Sequence, residues 1–174
     1  MRIAISSKSG CGNTTVTTLV GQKLGYPIIN FTFRQLSEER GIPFWDFCKM
    51  AETDFDIDRE IDSRQVKLAH AEKDCVLASR LAIWMLEDAD LKVYLTASEE
   101  VRAKRIHKRE GGDLETKMME TTGRDLKDHN RYLKIYNIDN DKYDFADMVI
   151  ATDDKTPDEI SDLIVAEVKK RLEK

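Results

Sequence analysis

The strongest constraint on the fold lies at the start of the chain. An apolar, β-branched run, Ile3–Ile5, leads through Ser7-Lys8-Ser9-Gly10-Cys11-Gly12-Asn13-Thr14-Thr15 directly into an apolar stripe at helical spacing, Val16, Leu19, Val20 and Leu24. A small-residue loop between a strand and a helix turns backbone N–H groups and the positive helix end toward one point, which is a phosphate-binding arrangement. Against the spacing G-x-x-x-x-G-K-[ST], the chain keeps Gly12 and Thr14 but carries Ser7 and Asn13 at the other two fixed positions. Thr14 is the residue expected to ligate Mg²⁺ through its hydroxyl. Asn13 brings a dipole where the spacing demands a cation. Lys8, five residues earlier, or arginines from elsewhere are the candidate substitutes, and the letters do not choose between them. Cys11 reads as a small residue in a tight loop.

Four further short apolar runs follow, Pro27–Ile29, Val76–Leu77, Val93–Leu95 and Met148–Ile150. They do not alternate polar with apolar residues, which marks strands covered on both faces, as in a parallel sheet. Helical stretches lie between them. Gly25 stops the first helix, and Thr156-Pro157 opens a last one with the stripe Ile160, Leu163, Ile164 and Val168. Alternation of strands and helices predicts an α/β fold. Two strandless stretches exceed a simple crossover: residues 33–74, carrying Leu36, Phe44, Phe47 and Met50, and residues 98–137, broken near Gly111-Gly112. Phe44, Trp45 and Phe47 fit helix-packing core at this spacing better than a base-stacking site.

The 174 residues suit one domain, and the beginning of the sequence carries no signal-peptide pattern. No run approaches the length of a bilayer span, so a soluble, cytoplasmic protein without membrane partners is expected. Cys11, Cys48 and Cys75 form no CxxC pair, and His70, His107 and His129 have no metal-motif spacing. The net charge of −5 hides a basic segment: Val101–Lys134 holds ten Lys or Arg against six Asp or Glu. A local basic patch on an acidic chain suits capture of a small polyanion and argues against nucleic-acid binding. Within it, Arg102, Arg105 and Arg109 recur as one cationic stripe, and Arg124, Asp128 and Arg131 share a face of a second helix.

Taken together, Ile5–Val16, Phe33-Arg34-Gln35-Leu36, Ile57–Asp62, Val76–Leu86, Val101–Gly111 and Arg124–Tyr132 resemble the archaeal-type cytidylate kinases, a branch of the P-loop nucleoside monophosphate kinases. The resemblance covers nearly the whole chain; Ser7, Asn13 and Ser79 depart from residues the family usually keeps. It implies a P-loop NTPase-type three-layer α/β/α domain spanning 1–174, with five parallel strands. The core would be about 1–32, 75–97 and 138–174, the helical acceptor-binding insert about 33–74 and the helical lid about 98–137. It also implies ATP and Mg²⁺ as cofactors, CMP or dCMP as acceptor, and transfer of the γ-phosphoryl group; a monomer is expected.

Carried over by position, the resemblance makes Ser7 to Thr15 the donor-phosphate loop. Arg34, Asp58, Arg80, Asp128 and Arg131 fall on the acceptor side, with Arg59 and Asp62 beside Asp58. Arg105, Arg109, Arg124 and Arg131 act on the transferring group. Asp128, an acceptor of hydrogen bonds when ionised, is the expected reader of the cytosine amino group. Two rival expectations remain: another small P-loop metabolite kinase, since fold alone does not select the acceptor, and a nucleotide-binding regulator with a degenerate loop.

Overall fold

In the computed structural model, which describes residues 1–173, five parallel strands are interleaved with eight helices. The strands are β1 (Arg2–Ser7), β2 (Ile28–Ile29), β3 (Cys75–Ala78), β4 (Leu91–Thr96) and β5 (Met148–Ala151), in the order β2-β3-β1-β4-β5. β1 is central, with Ile3 registered against Val76 on one side and Leu91 on the other. The two-residue periodicity of a strand then divides the core. Ile3, Ile5, Val93 and Leu95 face one side, where α1 (Asn13–Leu24) and α8 (Pro157–Leu172) bring Val16, Val20, Ile160, Ile164 and Val168. Ala4, Leu77 and Tyr94 face the other, against Ala69 of α4 (Asp56–Ala71) and Ile83 of α5 (Ala82–Met85). Layers of helix therefore cover both faces of the sheet, giving the three-layer α/β/α arrangement expected from the sequence.

The helix ends follow the punctuation. Gly25, at φ 69°, terminates α1, and Thr156 caps α8 in a reciprocal box with Glu159, Pro157 standing in the first turn. Gly21 is required for another reason: a Cβ there would meet Ile28 Cγ1 at 2.7 Å, so its absence lets α1 lie against β2. The helical stripes are displaced from the simple pattern. Val165 is buried in α8 whereas Leu163 is exposed, and in α1 Thr17 and Gly21 are buried while Leu19 and Leu24 are only half-buried. Both shifts arise because a helix lying across a sheet selects its inner face by crossing direction, not by hydrophobicity alone.

Residues 33–74 contain α2 (Phe33–Glu39), α3 (Phe44–Ala51) and α4, with a core of their own: Phe31, Leu36, Phe47, Ala51, Ile57 and Ile61. Trp45 is 80% exposed and Met50 is also outside that core. Residues 98–137 contain α6 (Glu99–Glu110) and α7 (Leu114–Tyr136), parted at Gly111 and Gly112, both of positive φ. Among the described residues no helix is long and apolar enough to cross a membrane.

Candidate active site

Because β1 is central, its carboxyl end opens into the crevice where ligands of parallel sheets bind. A cavity of about 950 Å³ lies there. One wall is the loop after β1 together with the first turn of α1, and the opposite wall comes from α4, the end of β3 and α7.

The loop wall is shaped by the need to satisfy its own backbone. With N–H groups gathered toward the cavity, the carbonyl oxygens turn outward and require donors. Arg102 Nη1 donates to Ser9 O at 3.2 Å, and Arg105 Nη1 to Gly10 O at 3.3 Å. Thr152, just past β5, donates its hydroxyl to Cys11 O at 3.3 Å and is itself gripped by Arg105 at 2.9 and 2.7 Å. Gly10, at φ 83°, has no room for a side chain, since a Cβ would lie 2.9 Å from Arg102 Cβ. Arg102 is only 3% exposed and pairs with Asp125 of α7 at 2.7 Å, tying α7 to the loop. The cationic stripe of α6 is thus divided. Arg102 and Arg105 brace the loop from behind, outside the cavity lining, and Arg109 lines the cavity. Arg105, expected on the transferring group, has its guanidinium held in this conformation by the carbonyls of Gly10 and Thr152 and by the Thr152 hydroxyl. Cys11 likewise lies beneath the loop, outside the lining, and burial pushes its thiol up.

The remaining loop residues, Ser7, Lys8, Ser9, Gly10, Gly12, Asn13, Thr14 and Thr15, line the cavity. Gly12, at φ 89°, begins α1 with no side-chain cap and no acidic residue in the first turn, leaving the helix end open toward the cavity. Thr14 is exposed there. Asn13 turns inward: its amide donates to Ile5 O at 3.3 Å and accepts from the Thr17 hydroxyl at 3.0 Å. Lys8 Nζ pairs with Asp141 at 2.6 Å. Arg124 reaches the loop edge, donating to the Ser9 hydroxyl at 3.2 Å.

The opposite wall is a buried charge network. Asp128 lies between Arg80, with which it pairs directly, and Arg131 at 3.3 Å; Arg131 also stands 3.5 Å from Asp58. Asp58 is 4% exposed; burial raises its carboxyl to about 6, the neighbouring Asp62 and Asp128 push the same way, and Arg131 opposes them. Tyr136 donates its hydroxyl to Asp62 at 2.6 Å. Arg34 stands at the mouth with its guanidinium 4.2 Å from the Phe44 ring centroid. Among the described residues, Asp58 Oδ2, Ser79 Oγ and Arg131 Nε are buried polar atoms of this wall without a hydrogen-bond partner.

The structure therefore brings Arg34, Asp58, Arg80, Arg109, Arg124, Asp128 and Arg131 to one cavity with the loop and leaves Arg105 and Cys11 behind it. Sequence reasoning missed Ser79 as a contact, the Arg102–Asp125 tie and Thr152, and it saw no link between His129 and the acidic turn after α7. There, His129 Nδ1 lies 3.7 Å from Asp139 and 3.4 Å from Asp141. The Arg102–Asp125 tie and Thr152 depend on pairings distant in sequence, and no local spacing announces them. The clustering of Arg102 and Asp125 in adjacent charged helices was the one available signal.

The profile of the cytidylate kinase-like family matches residues 2–154. "Cytidylate kinase 2" of Borreliella afzelii is 45% identical over 175 residues, covering 98% of each chain. "Cytidylate kinase" of Archaeoglobus fulgidus is 40% identical, covering 98% of this chain and 97% of the relative. Among solved structures, shikimate kinase from Bacteroides thetaiotaomicron superposes with a TM-score of 0.62 at 14% identity, over 100% of this chain and 99% of that one. Deoxyadenosine kinase from M. mycoides superposes with a TM-score of 0.60 at 19% identity, over 98% and 100%. At such identities the superpositions speak for the fold, a P-loop kinase fold, while the sequence relatives speak for descent. The chain belongs to the cytidylate kinase-like family.

Proposed function

We propose that the protein transfers the γ-phosphoryl group of ATP to CMP or dCMP, giving the corresponding diphosphate. The observation that carries this reading is the acceptor wall, where Asp58 Oδ2 and Ser79 Oγ are buried with no hydrogen-bond partner and Arg131 Nε has only its 3.5 Å ion pair with Asp58. Buried polar groups are satisfied in finished structures, so a wall with two unmet oxygens fits a polar ligand. The cytosine amino group is a donor, and the wall offers the carboxylates of Asp58 and Asp128 to accept it. Asp128 already receives Arg80 and Arg131, whereas Asp58 Oδ2 receives nothing, so Asp58 joins Asp128 as a reader of the base.

Arg34 and Arg80 grip the acceptor phosphate, since a guanidinium meets phosphate oxygens in a two-pronged fork. The loop and the open end of α1 hold the donor phosphates. Arg109 and Arg124 stand on the lid side of the same cavity, in position to meet charge on the transferring group. Arg131 joins the acceptor phosphate to the carboxylate pair. Arg105 acts one step back, by fixing the Gly10 carbonyl and so the direction of the loop N–H groups. Mg²⁺ fits the site through Thr14, whose exposed hydroxyl is a hard oxygen donor at the first turn of α1; Asp58, Asp62 and Asp128, the acids of the cavity, belong to the acceptor wall. When bound, the ion neutralises charge between phosphate oxygens. No protein nucleophile is required, because positioning and charge stabilisation supply the catalysis.

The test is ADP formation from ATP and Mg²⁺ with each common nucleoside monophosphate, with acceptor-free and Arg131→Ala controls. Turnover with CMP or dCMP, lost in the variant, is the expected result. Turnover with shikimate or gluconate alone, or ATP binding with no transfer to any acceptor, overturns it.

A further inference from the structure

A P-loop kinase needs a mobile cation on the donor phosphates, and here the usual lysine position holds Asn13. Asn13 is a poor substitute: it carries no charge, and although it lines the cavity its amide already donates to Ile5 O and accepts from the Thr17 hydroxyl. The other cavity cations have anchors of their own. Arg34 stacks on the Phe44 ring, Arg80 and Arg131 serve Asp128 and Asp58, Arg109 pairs with Glu110, and Arg124 holds the Ser9 hydroxyl. Lys8 is the one cation within the loop itself, it lines the cavity, and its ammonium rests on Asp141 at 2.6 Å.

The place of Asp141 is set without Lys8. Its backbone N–H donates to Asp139 Oδ1 at 3.1 Å in the turn after α7, and His129 Nδ1, held at 3.0 Å by Asn140 Oδ1, lies 3.4 Å from its carboxylate. The Lys8–Asp141 pair is solvated on both sides, 30% and 53% exposed. Such pairs are weak because water screens them, whereas phosphate oxygens at the floor of a cavity are a denser and less screened negative charge. A lysine on a four-carbon stem can exchange one for the other without backbone movement.

We propose that Lys8 is the donor-phosphate cation of this loop, standing in for the lysine that Asn13 replaces, and that Asp141 is its resting partner, releasing it when a nucleoside triphosphate enters. The inference rests on the kinase reading above, but its test reads ATP binding alone as well as turnover, so the two can fail separately.

The experiment titrates ATP with Mg²⁺ into the wild-type protein, Lys8→Met and Asp141→Asn without acceptor, then measures kcat and both KM values with CMP. Met keeps the stem and removes the charge, and circular dichroism together with Tm reports folding. Lys8→Met should weaken ATP binding about tenfold and lower kcat about 100-fold, with the KM for CMP unchanged and the fold intact. Lys8→Arg should recover a substantial part of that loss. Asp141→Asn should tighten ATP about threefold, because no resting pair competes, while kcat holds. A role limited to bracing the turn predicts the reverse, a lower Tm and weaker ATP binding in Asp141→Asn. That result, or a Lys8→Met enzyme within about threefold of wild type in both ATP affinity and kcat, overturns the proposal. Wild-type protein that binds ATP through Lys8 yet phosphorylates no monophosphate would instead overturn the kinase reading and leave Lys8 in place.

Discussion

The two walls of the cavity differ in what holds them: backbone carbonyls met by side chains behind the loop, and ion pairs between side chains opposite it. On the donor side, the carbonyls of Ser9, Gly10 and Cys11 are all met, by Arg102, Arg105 and Thr152. On the opposite side, Asp58 Oδ2 and Ser79 Oγ have no hydrogen-bond partner and Arg131 Nε has only its 3.5 Å ion pair with Asp58, while behind the loop Asp125 Oδ1 and His107 Nδ1 are likewise unbonded. The loop after β1 is preorganised, because arginines behind it hold its geometry. Under the proposed reading the opposite wall is where a site can discriminate, since a ligand lacking the right polar group leaves its buried oxygens unpaired.

The comparison can be broken at four points. The largest effect is expected from Arg102→Ala, which orphans Asp125 in a buried pair and frees the Ser9 carbonyl; folding stability should fall by about 3–5 kcal/mol, measured by urea unfolding, and ATP affinity should fall with it. Arg131→Ala should reduce kcat/KM for CMP by roughly 10²–10³-fold, about 3–4 kcal/mol, while ATP affinity is nearly unchanged. An equal loss in ATP affinity would show that the walls are not separable.

Asp58→Asn should act in two directions. Activity toward CMP should fall roughly 10–100-fold, since an amide can place a donor where the base needs an acceptor. Stability should move oppositely. The Asp58 carboxyl is raised above its unfolded value, so its contribution to stability is greatest below the ordinary carboxylate range and is lost as pH rises through about 6. At pH 7.5 the variant should therefore unfold at a higher temperature, by an amount worth about 1–2 kcal/mol, and the advantage should vanish near pH 4. The same ionisation predicts that wild-type kcat/KM for CMP declines as pH drops below about 6. Ser79→Ala should have the smallest effect. Its hydroxyl has no protein partner to lose, so Tm should hold within about 1 °C while KM for CMP rises by roughly two- to fivefold.

Much of the fold was legible because its signals are contiguous. The Ile3–Ile5 run, the small residues after it and the stripe beginning at Val16 sit next to one another, and covalent connection brings them together in space. The break at Gly111-Gly112 and the start at Thr156-Pro157 were readable for the same reason, as caps act within one turn. The donor loop and the run from Arg124 to Arg131 could likewise be picked out, because a helix places i, i+4 and i+7 on one side whatever it packs against. The inner face of α8 was harder: Leu163 and Val165 are both apolar, and only the crossing of the helix over the sheet makes Val165 the buried one.

By itself, then, the sequence determined the order of strands and helices, the small-residue turn between β1 and α1 and the set of arginines available to it. Only the tertiary structure decided what each charge does. Arg105 and Arg109 lie four residues apart on one helix, yet one braces the loop from behind and the other lines the cavity. Lys8 finds Asp141, Arg102 finds Asp125, and Asp58 loses its water, through partners brought together from remote parts of the chain. The reason is range. Backbone conformation is set by neighbours within a turn, whereas a charge responds to desolvation and to every ion within several ångströms, which exist only once the chain has closed around it.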